Sequence, residues 1–193
     1  MGVLDWLLGR KDPSAAWIAD PHLSLEVDLS ASTLCGVGMG AGFRNLSSLG
    51  PPENAWPSRE ESYQWLSRGV EVQGTQEEGI DTVTLFWWRD RPPFKGRLLW
   101  KGKLLDWSAS TRRAEIEALF GPAYHVDDDP EPVLYYEHGT VEWQIEFAED
   151  GGLHEILLTT PGLYADPEWR KRSGITKPWP PAPGEGSPRD PVG

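Results

Sequence analysis

Between residues 141 and 147 the chain alternates without a break. Val141, Trp143, Ile145 and Phe147 are apolar, and Glu142, Gln144 and Glu146 between them are polar. A period of two predicts a strand with one buried and one polar face. Glu149-Asp150-Gly151-Gly152 then reads as a hairpin turn, and Ile156 and Leu158 mark the returning strand. Upstream, Ile116, Leu119 and Phe120 form a helical stripe. Ser110 or Thr111 can cap this helix, whose first turn reaches Glu115; Gly121 ends it and Pro122 prevents its continuation. The run from Leu98 to Leu104, with Lys101-Gly102 at its centre, predicts another hairpin.

The earlier half of the chain follows a similar order. LSLEVDL is succeeded by a Gly-rich turn and GFRNLSSLGPP, then by SYQWLSRGVEVQG and GIDTVTLFWW. Leu49-Gly50-Pro51 answers Phe120-Gly121-Pro122, and Trp65 and Gly69 answer Tyr136 and Gly139, at an offset of about 71 residues. The expectation is an α+β fold: two diverged copies of a helix-plus-antiparallel-hairpin unit, forming a sheet with helices on one face. The expected divisions are an N-terminal arm over 1–21, unit one over 22–88, unit two over 94–160, and a Pro-rich, disordered tail over 161–193. Arg89-Asp90-Arg91-Pro92-Pro93 is the break between the units. Removing residues 165–193 is accordingly expected to cost little stability.

A helix ending in Leu-Gly-Pro, then an aromatic-rich strand and a hairpin, resembles the unit of the BamE/SmpA and beta-lactamase-inhibitor-like families. Gly38-Met39 ahead of Gly50-Pro51, with Tyr63 and Trp65 following, carry the likeness. The tandem arrangement is similar to the inhibitor proteins of that group, which implies a concave sheet docked on an enzyme. The same LGPP-to-YxW spacing resembles uncharacterised bacterial cytosolic proteins. Unlike the exported families, this chain shows no signal segment at its start. The likeness covers about residues 22–160 and assigns no functional residue individually.

Charge narrows the function classes. The 193 residues carry a net charge of -12, which disfavours nucleic acid as a partner. From Ala114 to Trp169 there is no Lys or Arg, while 14 of the chain's 30 acids fall in that window. Two meanings fit: a solvated face that keeps the protein soluble, or a one-signed field suited to a basic partner. No run approaches the ~20 apolar residues of a membrane span. Val3, Leu4, Leu7 and Leu8 read as a short amphipathic turn. One cysteine, Cys35, excludes an internal disulfide, and the expected compartment is the cytoplasm.

Candidate chemistry is sparse. Gly36, Gly38, Gly40 and Gly42 alternate, but without the Lys-Ser/Thr of a phosphate loop. His125 with Asp127, Asp128 and Asp129 lacks metal-ligand spacing and reads as an acidic turn; His22, His138 and His154 have no partner at such spacing. No nucleophile motif is present, so no catalytic residue, metal or cofactor is assigned. Trp87-Trp88 and Tyr135-Tyr136 are adjacent on expected strands, so one of each pair is exposed or covered by something else.

The leading expectation is a non-catalytic protein-binding protein, an acidic inhibitor or immunity-type protein that occludes a basic partner such as a toxin enzyme. Its interface would use Tyr135, Glu137, Glu142, Gln144 and Glu146, with Asp127, Asp128 and Asp129. A scaffold or adaptor whose acids only solubilise remains open, as does a carboxylate-dependent hydrolase with two converging acids.

Overall fold

The computed structural model describes residues 12–56, 60–88, 90–128 and 130–176. The amphipathic turn at Val3–Leu8, Arg89, Asp129 and the tail beyond residue 176, including Trp179, lie outside the described residues. Among the described residues there are thirteen strands: β1 Glu26–Asp28, β2 Thr33–Leu34, β3 Val37–Gly38, β4 Asn54–Trp56, β5 Glu60–Trp65, β6 Val70–Thr75, β7 Gly79–Phe86, β8 Arg97–Trp100, β9 Lys103–Leu105, β10 His125–Asp127, β11 Val133–His138, β12 Val141–Phe147 and β13 Leu153–Thr159. The same residues form two short α-helices, α1 (Arg113–Phe120) and α2 (Pro167–Arg172), with 3-10 turns at Pro13–Ala16, Phe43–Leu49, Leu66–Arg68 and Leu163–Ala165.

The α+β expectation is therefore overturned. The described residues are mostly β, and the helices among them are short segments of eight and six residues in place of a helical layer. The expected first helix is a 3-10 segment, Phe43–Leu49, set between Gly42 and Gly50. Seven residues bounded by glycines and followed by Pro51 leave no room for a longer helix.

Contacts divide the chain into two compact units. The first holds Met1–Val83 and Phe94–Leu105, the second Thr84–Pro93 and Asp106–Gly193. The expected boundaries move accordingly. Residues 94–105 join the first unit because β8 pairs in parallel with β1, in register from Glu26 opposite Arg97 to Asp28 opposite Leu99.

The first unit contains a small sheet ordered β3-β2-β1-β8-β9 and the series β4-β5-β6-β7. Lys101 and Gly102, both at positive φ, turn the β8–β9 hairpin at the expected residues. Trp17 stacks on Tyr63 at 5.3 Å and on Trp65 at 6.2 Å, so part of the expected N-terminal arm packs into this core. The Gly-rich loop is tied to the start of β7: Gly40 N donates to Ile80 O at 2.7 Å, and Ile80 N to Ala41 O at 2.9 Å.

The second unit runs α1, then the antiparallel series β10-β11-β12-β13, with the last residues of β7 beside β13. Its core lies on one sheet face, where Leu134, Tyr136, Trp143, Ile145, Ile156 and Leu158 meet Ile116 and Phe120 of α1. The Phe120 ring sits 5.3 Å from Trp143 and 5.6 Å from Tyr136.

The Gly-Pro signatures have the same physical role in each unit. Gly50 and Gly121 both take positive φ at the end of a helical segment. In the first unit the Trp65 indole donates to the Gly50 carbonyl at 3.1 Å; in the second the Tyr136 hydroxyl donates to the Gly121 carbonyl at 2.9 Å. The aromatic that follows each Gly-Pro thus satisfies a carbonyl the helix end leaves open.

A Cβ at Gly79, where φ is +79°, would stand 2.5 Å from the Gly40 carbonyl oxygen. Gly102, at +73°, faces open space. Gly79→Ala should cost at least about 2 kcal/mol and Gly102→Ala about 1 kcal/mol, the strain of the left-handed backbone alone. Urea unfolding of the two variants measures the difference.

Candidate functional site

Strand register decides which polar residues share a surface. On the face of the second unit's sheet opposite α1, three cross-strand rows form. The first places Asp127, Val133, Glu146 and Glu155 side by side. The second places His125, Tyr135, Gln144 and Leu157, and the third Glu137, Glu142 and Thr159. Six of the eight residues singled out from sequence are therefore on one face. Asp128 follows β10 and pairs with Arg113 at 3.2 Å.

This face has two unlike ends. The expectation that its acids point to solvent is corrected at one of them: Glu137 and Glu142 are buried, at 1% and 0% exposure. Residues 161–176, expected as part of a disordered tail, supply the cover. Gly162, the 3-10 turn and α2 lie against this end of the sheet. Arg170 is 4% exposed, and its Nη1 donates to Glu137 Oε1 at 2.8 Å and to the Tyr164 carbonyl at 3.0 Å. Its guanidinium carbon lies 5.3 Å from the Tyr124 ring centre.

Glu142 is satisfied by neutral donors. The Tyr124 hydroxyl donates to it at 2.7 Å, Gln144 Nε2 at 2.9 Å, Leu163 N at 3.0 Å and Tyr164 N at 3.5 Å. Burial pushes the Tyr124 phenol well above its ordinary value, and the Glu142 carboxylate pushes it further, so the proton stays on the phenol as the donor this bond needs. A Cβ on Gly162 would stand 2.8 Å from the Glu142 side chain, so the covering segment approaches as closely as glycine allows.

Tyr135 and Tyr136 are both buried, because each face of β11 has a cover. Tyr136 packs under α1, and Tyr135 meets Tyr164 at 5.1 Å and His125 at 5.4 Å. Residue reasoning missed Arg170, Tyr164 and Tyr124. Asp166-Pro167 carried a usable signal: Asp166 caps α2, accepting from Glu168 N at 2.7 Å and Trp169 N at 3.0 Å, with Pro167 at the first helical position.

The other end of the face stays open. Asp127 is exposed, and Glu146 and Glu155 are half-buried neighbours in direct register. Glu155 accepts the Trp88 indole proton at 3.0 Å. Burial raises the Glu146 carboxyl above its ordinary value, and the Glu131 charge adds to this, while His154 and a hydrogen bond with Glu155 oppose it. No helix among the described residues is long and apolar enough to cross a membrane.

No known protein family matches the chain, and no curated protein matches it. Among solved structures, a DUF4309 family protein, YjgB, from Bacillus subtilis subsp. subtilis str. 168 is similar at 14% identity and a TM-score of 0.44. The match covers 65% of this chain and 82% of that one. At that level it carries no argument about fold or function.

Two outcomes test the geometry. Arg170→Met leaves the Glu137 charge buried without its guanidinium and should cost about 3 kcal/mol, with part of the loss recovered in the Glu137→Gln/Arg170→Met double variant. Ending the chain at Tyr164, which removes Arg170, should likewise lower the melting temperature, reversing the expectation from sequence for loss of residues 165–193. Glu146 binds its proton more tightly in the folded state, so its contribution is full below the ordinary 4.5 and is lost as pH rises through the folded value. Glu146→Gln should therefore melt above wild type at neutral pH, and the gap should close well below 4.5.

Proposed function

We propose that the protein is a non-catalytic binding protein whose acidic sheet face in the second unit engages a basic protein partner, in the manner of an inhibitor or immunity protein. One observation carries the reading. The face already holds a basic side chain of its own chain, Arg170, by a charge-assisted bond to Glu137 with the Tyr124 ring beside it. The open end repeats the same chemistry, with Asp127, Glu146 and Glu155 in one row and the Trp88 indole against Glu155. Carboxylates next to aromatic rings suit a partner's Arg or Lys, and a net charge of -12 favours the approach of a cation.

Charge reversal at Glu142 would not test this, because that carboxylate is buried and hydrogen-bonded. Asp127→Lys/Glu146→Lys changes the open row and spares the Arg170 cluster. Fluorescence anisotropy with a hexa-arginine peptide, at low and at physiological ionic strength, reads the result. Binding should fall by about tenfold or more in the variant, and its salt dependence should flatten. Equal binding by both proteins at both ionic strengths would show that these acids only solubilise.

A further inference from the structure

Within the second unit, the segment after β7 and the turn of the β12–β13 hairpin enclose a cavity of about 240 Å³. Its walls include Trp87, Trp88, His154 and Leu153, and Asp90 and Asp150 stand among them. The segment is fixed along β13 by Trp87 N donating to His154 O at 2.7 Å and by the Trp88 indole bond to Glu155. The hairpin is fixed by Gly151 N on Ala148 O at 2.7 Å and Ala148 N on Gly152 O at 2.9 Å. Arg112 Nη1 holds the Asp150 carbonyl from outside the turn at 2.7 Å. A Cβ on Gly152 would stand 2.2 Å from the Ala109 carbonyl oxygen, so this wall closes only around glycine. Hydrogen bonds thus tie down both sides of the cavity.

Its chemistry selects a class of ligand. Flat aromatic walls beside two carboxylates suit a planar cation, which stacks on a ring while donating to an acid. The indole of Trp88 shows that preference within the chain, since the Arg91 guanidinium carbon lies 4.2 Å from its ring centre. The His154 ring stands edge-on to the Trp88 indole at 5.5 Å, so the two rings form one aromatic wall. The volume is below the roughly 300 Å³ at which drug-sized ligand pockets begin and suits one side chain.

We propose that this cavity receives an arginine side chain presented by the basic partner. The proposal rests on the reading of a basic partner given above and names the residue that anchors it. Arginine is among the residues enriched at interface anchors, which sit in packed and desolvated pockets. Glu146 and Glu155 would attract the partner's remaining bases, while Trp88, Asp90 and Asp150 hold the one that enters.

The test uses the full chain and two probes of matched shape, N-acetyl-arginine amide and N-acetyl-citrulline amide, followed by NMR of the His154 ring and the Trp88 indole. The arginine probe should shift both resonances in a saturable way, and the uncharged citrulline probe should bind at least about fivefold more weakly. Asp90→Asn/Asp150→Asn should lose a similar factor while the fold is kept, because Asn at 150 retains the oxygen that accepts from Gly152 N. Trp88→Leu should abolish the shifts at His154, and the Asp variants keep the test independent if that change disturbs folding. Equal binding of arginine and citrulline probes, or unchanged binding in the Asp variants, overturns the pocket. If hexa-arginine binds wild type but the arginine probe leaves His154 unmoved, the pocket fails and the broader reading stands. If neither hexa-arginine nor the arginine probe binds, both fail.

Discussion

The ion pair between Arg170 and Glu137 is the constraint around which the second unit's polar face is organised. Register places Glu137 directly opposite Glu142, so two carboxylates meet on adjacent strands under cover. Like charges in that position repel, and each would be costly to bury alone. Arg170 neutralises one, and Tyr124, Gln144 and two backbone amides satisfy the other. Of these donors Arg170, Tyr124 and the two amides come from outside the two strands, and three of the contacts need the segment after β13. The sheet and its covering segment are therefore mutually dependent. The strands cannot bury these acids without the segment, and Tyr164 of the segment packs on His125 and Tyr135 of the sheet.

Much of the strand content was legible in the sequence. Alternation at 141–147 and the hairpins at Lys101-Gly102 and Glu149–Gly152 are local patterns, and short-range chemistry decides them. Helix content was overestimated, because Gly-Pro stops were legible but the length available between glycines was not weighed. The pairing of β8 with β1 could not be inferred, since it joins residues about 71 apart and no local signal marks a parallel partner.

The site was legible as a set of residues and not as an environment. Period two correctly grouped Glu142, Gln144 and Glu146, and register adds Tyr135, Glu137 and Asp127 to the same face. Whether that face meets water depends on a segment whose Pro-rich composition suggested disorder. The absence of bases from 114 to 169 looked like unopposed charge, yet the next residue is the arginine that enters the cluster. A window that ends one residue early hides a buried ion pair.

That pairing changes the near field of the second unit more than its far field. Arg170 cancels one charge, while the groups that donate to Glu142 are neutral and cancel none. Within the screening length of about 8 Å at physiological ionic strength, an approaching cation responds to the summed charge more than to which acids are capped, and beyond it the field is largely screened. Attraction at encounter therefore survives the burial of Glu137 and Glu142. What burial removes is their use as contact points, and it leaves contact to the acids that remain accessible. Asp127 is exposed at the edge strand, and Asp90 and Asp150 are exposed beside Trp88. The covered end of the face is closed by Arg170 and the segment after β13, and in the proposed reading the open end, with its aromatic cavity, is where a partner would make contact.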